Sequence, residues 1–124
     1  MNDNAKKWVS ALRSGEYKQG KEVLRNISDQ YCCLGVACDL YSKEHELEIF
    51  AGRQFYYYGK EHFAYLPLVV RDWLGLTTEY GAYDEYIGHE DDVGNSLTAL
   101  NDKGVPFKRI ADIIESEPEG LFVK

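Results

Sequence analysis

The chain has 124 residues, 44% of them hydrophobic and 28% charged, which suits one globular domain whose core forms without disulfides or metal. Its formal net charge of −7 argues against non-specific binding to nucleic acid or to anionic membrane, both of which depend on cation contacts. No apolar run approaches the roughly 18 residues a membrane-crossing helix needs, and Met1-Asn2-Asp3-Asn4 is too polar for a secretory leader, so a cytoplasmic setting is expected.

The first expected helix runs through Trp8, Val9, Ala11 and Leu12, capped by Asp3 or Asn4 and stopped at Ser14-Gly15. Glu16 to Asn26 reads as a loop with a short strand at Val23-Leu24-Arg25. Tyr31 to about Ser42 holds all three cysteines within seven residues and reads as the one deeply buried helix. Cys33, Val36, Ala37, Leu40 and Tyr41 fall on one helical face, and Ser28 or Asp29 can cap the start. Leu47–Phe50, Gln54–Tyr58 and His62–Tyr65 alternate or are aromatic, which predicts a small antiparallel sheet. Pro67 opens a helix with Val69, Val70, Trp73 and Leu74, ended by Gly75. Thr77 to Asn95 is rich in Gly, Tyr and acids without period, and is expected to be a long acidic surface loop with a short strand at Tyr86-Ile87. Ser96 caps a short helix through Leu97, Ala99 and Leu100. After the turn Asn101–Gly104, Pro106 opens an amphipathic helix through Phe107, Ile110, Ala111, Ile113 and Ile114.

The fold class these elements predict is α+β: a single domain over 1–124, with about five helices packed on a small antiparallel sheet. The expected core is Trp8, Leu12, Cys33, Val36, Ala37, Leu40, Val70, Trp73, Leu97, Leu100, Phe107, Ile110 and Ile114.

Charge is uneven along the chain. Residues 1–30 carry six bases against four acids, whereas Asp72 to Asp102 carries eight acids and no base. A basic front and an acidic back suit each other within one chain or across a homodimer. Adjacent Cys32 and Cys33 do not bridge each other without strain, and Cys33 and Cys38 point apart on a helix, so free thiols in a reducing compartment are expected.

These residue types bear on four chemistries. A thiol nucleophile would be Cys32, near a helix start, with His62 or His89 as base; a buried structural cysteine is the simpler reading. Metal ligation has no Cys-x-x-Cys or His-x-x-x-His spacing to rest on, and Glu90-Asp91-Asp92 beside His89 lacks an EF-hand pattern. No phosphate-binding glycine motif is present, and no cofactor is expected. The Ser96–Glu115 pair superficially matches a helix-turn-helix, but its second helix sets Lys108 and Arg109 against Asp112 and Glu115, which suits an αα-hairpin better than a DNA reader. Phosphate recognition would fall to Arg13, Lys18, Arg25 or Arg109, with aromatic rings available for stacking, and a ligand pocket would gather Arg13, Gln19, Arg25, Tyr31, Asn101 and Arg109.

Several motifs occur together: Trp8…Ala11-Leu12-Arg13-Ser14-Gly15-x-Tyr17-x-Gln19, Leu24-Arg25, Tyr31-Cys32-Cys33-Leu34-Gly35-Val36-x-Cys38-Asp39-Leu40, Leu66-Pro67-x-x-Val70-x-x-Trp73-x-Gly75-Leu76, and Leu97-x-x-Leu100-Asn101-Asp102-x-Gly104-x-x-Phe107-x-x-Ile110-Ala111-Asp112. This set resembles a family of small proteins of tailed bacteriophages and prophages that carry no assigned activity. The resemblance implies a phage accessory protein acting in the host cytoplasm. The expected function is non-enzymatic: countering host defence by binding, with a small nucleotide-like ligand as the first target. A host protein blocked by the acidic stretch Asp84–Asp92 is the alternative, and a cysteine hydrolase using Cys32 and His62 the second.

Overall fold

The computed structural model describes residues 1–26, 28–45, 65–83 and 96–124. Five helices are present among them: α1 (Asp3–Ser14), α2 (Cys33–His45), α3 (Leu68–Leu74), α4 (Leu97–Asp102) and α5 (Phe107–Glu115).

Each helix end has a local cause. Asn2, one residue earlier than expected, caps α1 by accepting the Ala5 N–H at 2.8 Å, and Gly15 ends it at φ 79°, a conformation that suits a residue without Cβ. Pro67 and Pro106 stand just before α3 and α5, where a missing N–H costs nothing. Ser96 caps α4 by accepting from Ala99 N–H at 3.1 Å. The start of α2 differs from expectation. Ser28 and Asp29 lie upstream of it, and Cys32 takes the cap: its Sγ accepts the Gly35 N–H at 3.4 Å.

The predicted sheet is a correction. No strand or sheet is present among the described residues, which are helices joined by irregular segments, so the α+β assignment gives way to a mostly helical one. Only isolated bridges remain: Gln19 with Tyr31, Arg25 with Tyr31, Leu76 with Phe122 and Ala82 with Ser96. The alternation at Val23–Arg25 misled because nothing extends it. Glu22 turns at φ 70°, and the Leu24 carbonyl accepts Cys32 N–H at the mouth of α2. The strands expected at 47–50, 54–58, 62–65 and 86–87 lie outside the described residues, apart from Tyr65. So does the 84–95 part of the acidic loop.

Helix α1 packs along α5 and against α2, while α3 and α4 flank α2. The core is one cluster centred on α2, whose first six residues Cys33 to Cys38 are all buried. That helix therefore has no solvent face at its start, which is why a one-face reading undercounted it. Of the expected core, Leu40, Trp73 and Leu100 are only half-buried, and the other ten residues are buried. Leu24, Leu66, Leu76 and Leu121 complete the core from irregular segments.

Candidate functional site

Four of the six residues expected to line a ligand pocket meet where the 16–31 segment crosses the start of α2. Gln19 pairs with Tyr31 and Tyr31 with Arg25 in bridges, and Gln19 donates to Asn101 Oδ1 at 3.0 Å. Arg13 and Arg109 lie apart from this group. The Arg13 guanidinium forks onto Asp112 and Glu115 at 2.8 Å each, tying α1 to α5. Arg109 is exposed on α5.

Two layers are present. The lower layer is Asn101 with Gln19. Asn101 is fully buried, its Oδ1 accepting from Cys33 N–H at 3.1 Å and from Gln19, its amide nitrogen donating to Gly20 O at 2.8 Å. Gln19 donates a second bond to Val105 O at 2.7 Å and accepts from Phe107 N–H at 3.2 Å. Each amide oxygen and each amide nitrogen is engaged within the protein, so these two residues hold structure together rather than reach a ligand. Asn101 supplies an orphan N–H at the first turn of α2 with its acceptor from a distant helix, and Gln19 does the same for α5.

The upper layer is aromatic and charged. The Tyr17 and Tyr31 rings meet edge to face with centroids 5.1 Å apart. The Arg25 guanidinium sits 5.5 Å from the Tyr31 centroid and the Lys43 ammonium 5.6 Å from that of Tyr17, both within cation–π range. Asp29 accepts from Arg25 Nε at 3.0 Å and from its terminal nitrogen at 2.6 Å. Asp39 accepts from the Tyr17 hydroxyl at 2.5 Å and from Lys43 at 3.0 Å. Burial, then the Asp39 hydrogen bond, raises the Tyr17 phenol above its ordinary pKa; burial, then the Asp39 charge, does the same for Tyr31. Both therefore stay protonated donors at neutral pH. Tyr17, Asp39 and Lys43 were absent from the expected set. The one local signal for them is the i, i+4 spacing of Asp39 and Lys43 on α2, which suits a helical ion pair.

The cysteines are all free and buried. Burial pushes the Cys32 thiol up to about 12, against the pull of the Gly35 N–H, and raises Cys33 and Cys38 as well. A thiol kept protonated and used as a helix cap is a poor nucleophile at neutral pH. His62, its expected partner, lies outside the described residues, as do His89 and the Glu90–Asp92 cluster. Gly35 explains the rest of the cysteine motif. A Cβ there would stand 1.7 Å from Leu24 O, so only glycine lets the loop backbone lie on the helix. Trp8 closes the group by donating its indole N–H to Cys33 O at 2.8 Å.

Fold and junction together define a small helical domain built around a cysteine-bearing central helix, with a polar bolt at its start. The chain belongs to the family described as Domain of unknown function (DUF8296), which matches residues 1–118. No curated protein and no solved structure matches it. No described helix is long and apolar enough to cross a membrane.

Proposed function

We propose that this domain acts by binding rather than by catalysis, and that its ligand is small and nucleotide-like, carrying an aromatic base and a phosphate. The observation that carries the reading is the Arg25–Tyr31–Tyr17 arrangement, in which a guanidinium lies over the Tyr31 ring and the Tyr17 ring stands perpendicular to it. A base stacks on such rings, and a phosphate oxygen takes the position now filled by Asp29 Oδ1, which accepts from two Arg25 nitrogens. Asp29 is thus an internal anion marking where the ligand's anion goes. Gln19 and Asn101, expected as direct contacts, serve instead as the rigid floor of this face. The motif resemblance to phage proteins supports an accessory role that counters host defence by sequestering such a ligand.

Isothermal titration with mononucleotides and cyclic dinucleotides tests the reading. Binding is expected, with Arg25→Ala and Tyr31→Ala each weakening it by roughly tenfold or more. Asp29→Asn, which removes the competing carboxylate, is expected to strengthen it. Native mass spectrometry of gently purified protein adds a ligand-blind check, since a retained small mass would be lost on denaturation. An absence of both heat and retained mass would overturn the proposal.

A further inference from the structure

We infer that the face formed by residues 18–22 and 102–109 is a docking surface for an acidic segment of a protein partner. Among the described residues, Lys6, Lys7, Arg13, Arg25, Lys43 and Arg71 all have carboxylate partners. Lys18, Lys21, Lys103, Lys108 and Arg109 have none, and apart from the terminal Lys124 they are the only described cations in that condition. All five are exposed. They fall on two segments that lie together in space: Gln19 bonds to Val105 and Phe107, Glu22 N–H donates to Asp102 at 2.8 Å, and the Lys21 ammonium lies over Gly104, 3.6 Å from where a Cβ would stand. The buried amides of Gln19 and Asn101 fix this juxtaposition, so the cations are presented on a preset spacing.

The chemistry of the face selects its partner. In a chain of net charge −7, five cations stand here against two carboxylates, Glu22 and Asp102, and Asp102 is already engaged by a backbone N–H. Neither segment exposes an aromatic ring on which a nucleic-acid base could stack, since Phe107 is buried. At the start of α5 Gln19 already takes the Phe107 N–H. An acidic polypeptide, whose carboxylates are spread and flexible, fits cations that are spread over two segments rather than converged.

The surface shares the Gln19–Asn101 floor with the Tyr17–Tyr31 ligand face but presents different side chains, so its test reads separately. The probe is fluorescein-labelled poly-L-glutamate, followed by anisotropy with the intact protein. Binding is expected to weaken about tenfold in Lys21→Glu/Lys108→Glu and by less than about twofold in Lys6→Glu/Lys7→Glu, which changes net charge equally. Thermal melts of both variants check that they fold. Equal weakening by the two pairs would overturn the proposal, as would tighter binding of a single-stranded oligonucleotide. So would a homodimer in sedimentation that the Lys21/Lys108 reversal dissolves, since the face would then belong to a second copy.

Discussion

Asn101 shows how much one side chain does here. It is the buried polar residue of the described core, and it satisfies three groups from two separate stretches of chain. Asn101→Ala would leave the Cys33 N–H, a Gln19 N–H and the Gly20 carbonyl without their partner in a dry site, which is expected to cost about 3 kcal/mol in urea denaturation. A loss below about 1 kcal/mol would mean that water enters and replaces the amide. Trp8 is a smaller version of the same device. Trp8→Phe keeps most of the apolar volume but removes a buried hydrogen bond to the Cys33 carbonyl, which keeps its place in the α2 ladder, and a loss of about 1 kcal/mol is expected. In the sequence Asn101 reads as ordinary turn chemistry before Lys103-Gly104. Its proximity to Gln19, 82 positions away, has no local signature. That is why both residues were expected to face a ligand when they face each other.

At the scale of elements, helix α2 is set by a close approach of backbone to backbone. Gly35→Ala drives a methyl group into the Leu24 carbonyl, and neither the loop nor the helix can yield without breaking the Cys32–Leu24 bond. A destabilisation of at least about 3 kcal/mol is expected in a thermal melt, with far-UV helical signal lost in the same transition. Retention of wild-type stability would show that the loop moves freely off α2. Four of the five helices were legible from their own punctuation: Gly15 ends α1, Pro67 and Gly75 bound α3, Ser96 opens α4 and Pro106 opens α5, whereas α2 was legible from its apolar spacing alone. Period and capping are local, so sequence reveals them. The core contributions of Leu24, Leu66, Leu76 and Leu121 were not legible, since single apolar residues in irregular chain have no period to display. The short strand at Val23–Arg25 failed for the complementary reason: alternation is necessary for a strand, but a partner ladder decides it, and here a single bridge takes its place. Of the candidate site, the sequence exposed Arg25 and Tyr31 but not the Tyr17–Asp39–Lys43 half, which requires knowing that α2 passes beneath the loop.

For the molecule as a whole, the buried thiols make alkaline pH the vulnerable side. A free thiol titrates at 9.0, whereas Cys32 in the fold is pushed up to about 12. The unfolded chain releases a proton that the folded chain keeps, so the stability held below the free-thiol value is lost progressively as pH rises toward the folded one. The decline is expected to reach about 1.4 kcal/mol per pH unit for each such thiol, with Cys33, Cys38, Tyr17 and Tyr31 contributing in the same direction. Urea midpoints measured from neutrality upward check this, and Cys32→Ala should flatten the slope. A profile unchanged by that substitution would show that the thiol is not what the alkaline limit reports. Glu115 acts with opposite sign. The Arg13 hydrogen bond lowers its carboxyl below the usual range, so what it contributes is present at neutral pH and fades on acidification.

The two tryptophans give the molecule a pair of built-in lamps. Trp8 is sealed in the core with its indole N–H engaged, while Trp73 is half-buried, with Tyr41 at 5.5 Å and His45 at 6.2 Å. Their emission therefore separates by colour and by access to a soluble quencher such as acrylamide, blue and shielded for Trp8, redder and reachable for Trp73. A single unlabelled sample can thus report loosening of the α2–α3 edge apart from melting of the centre. The order in which the two signals change on heating would reveal whether this small fold comes apart all at once or from that edge inward.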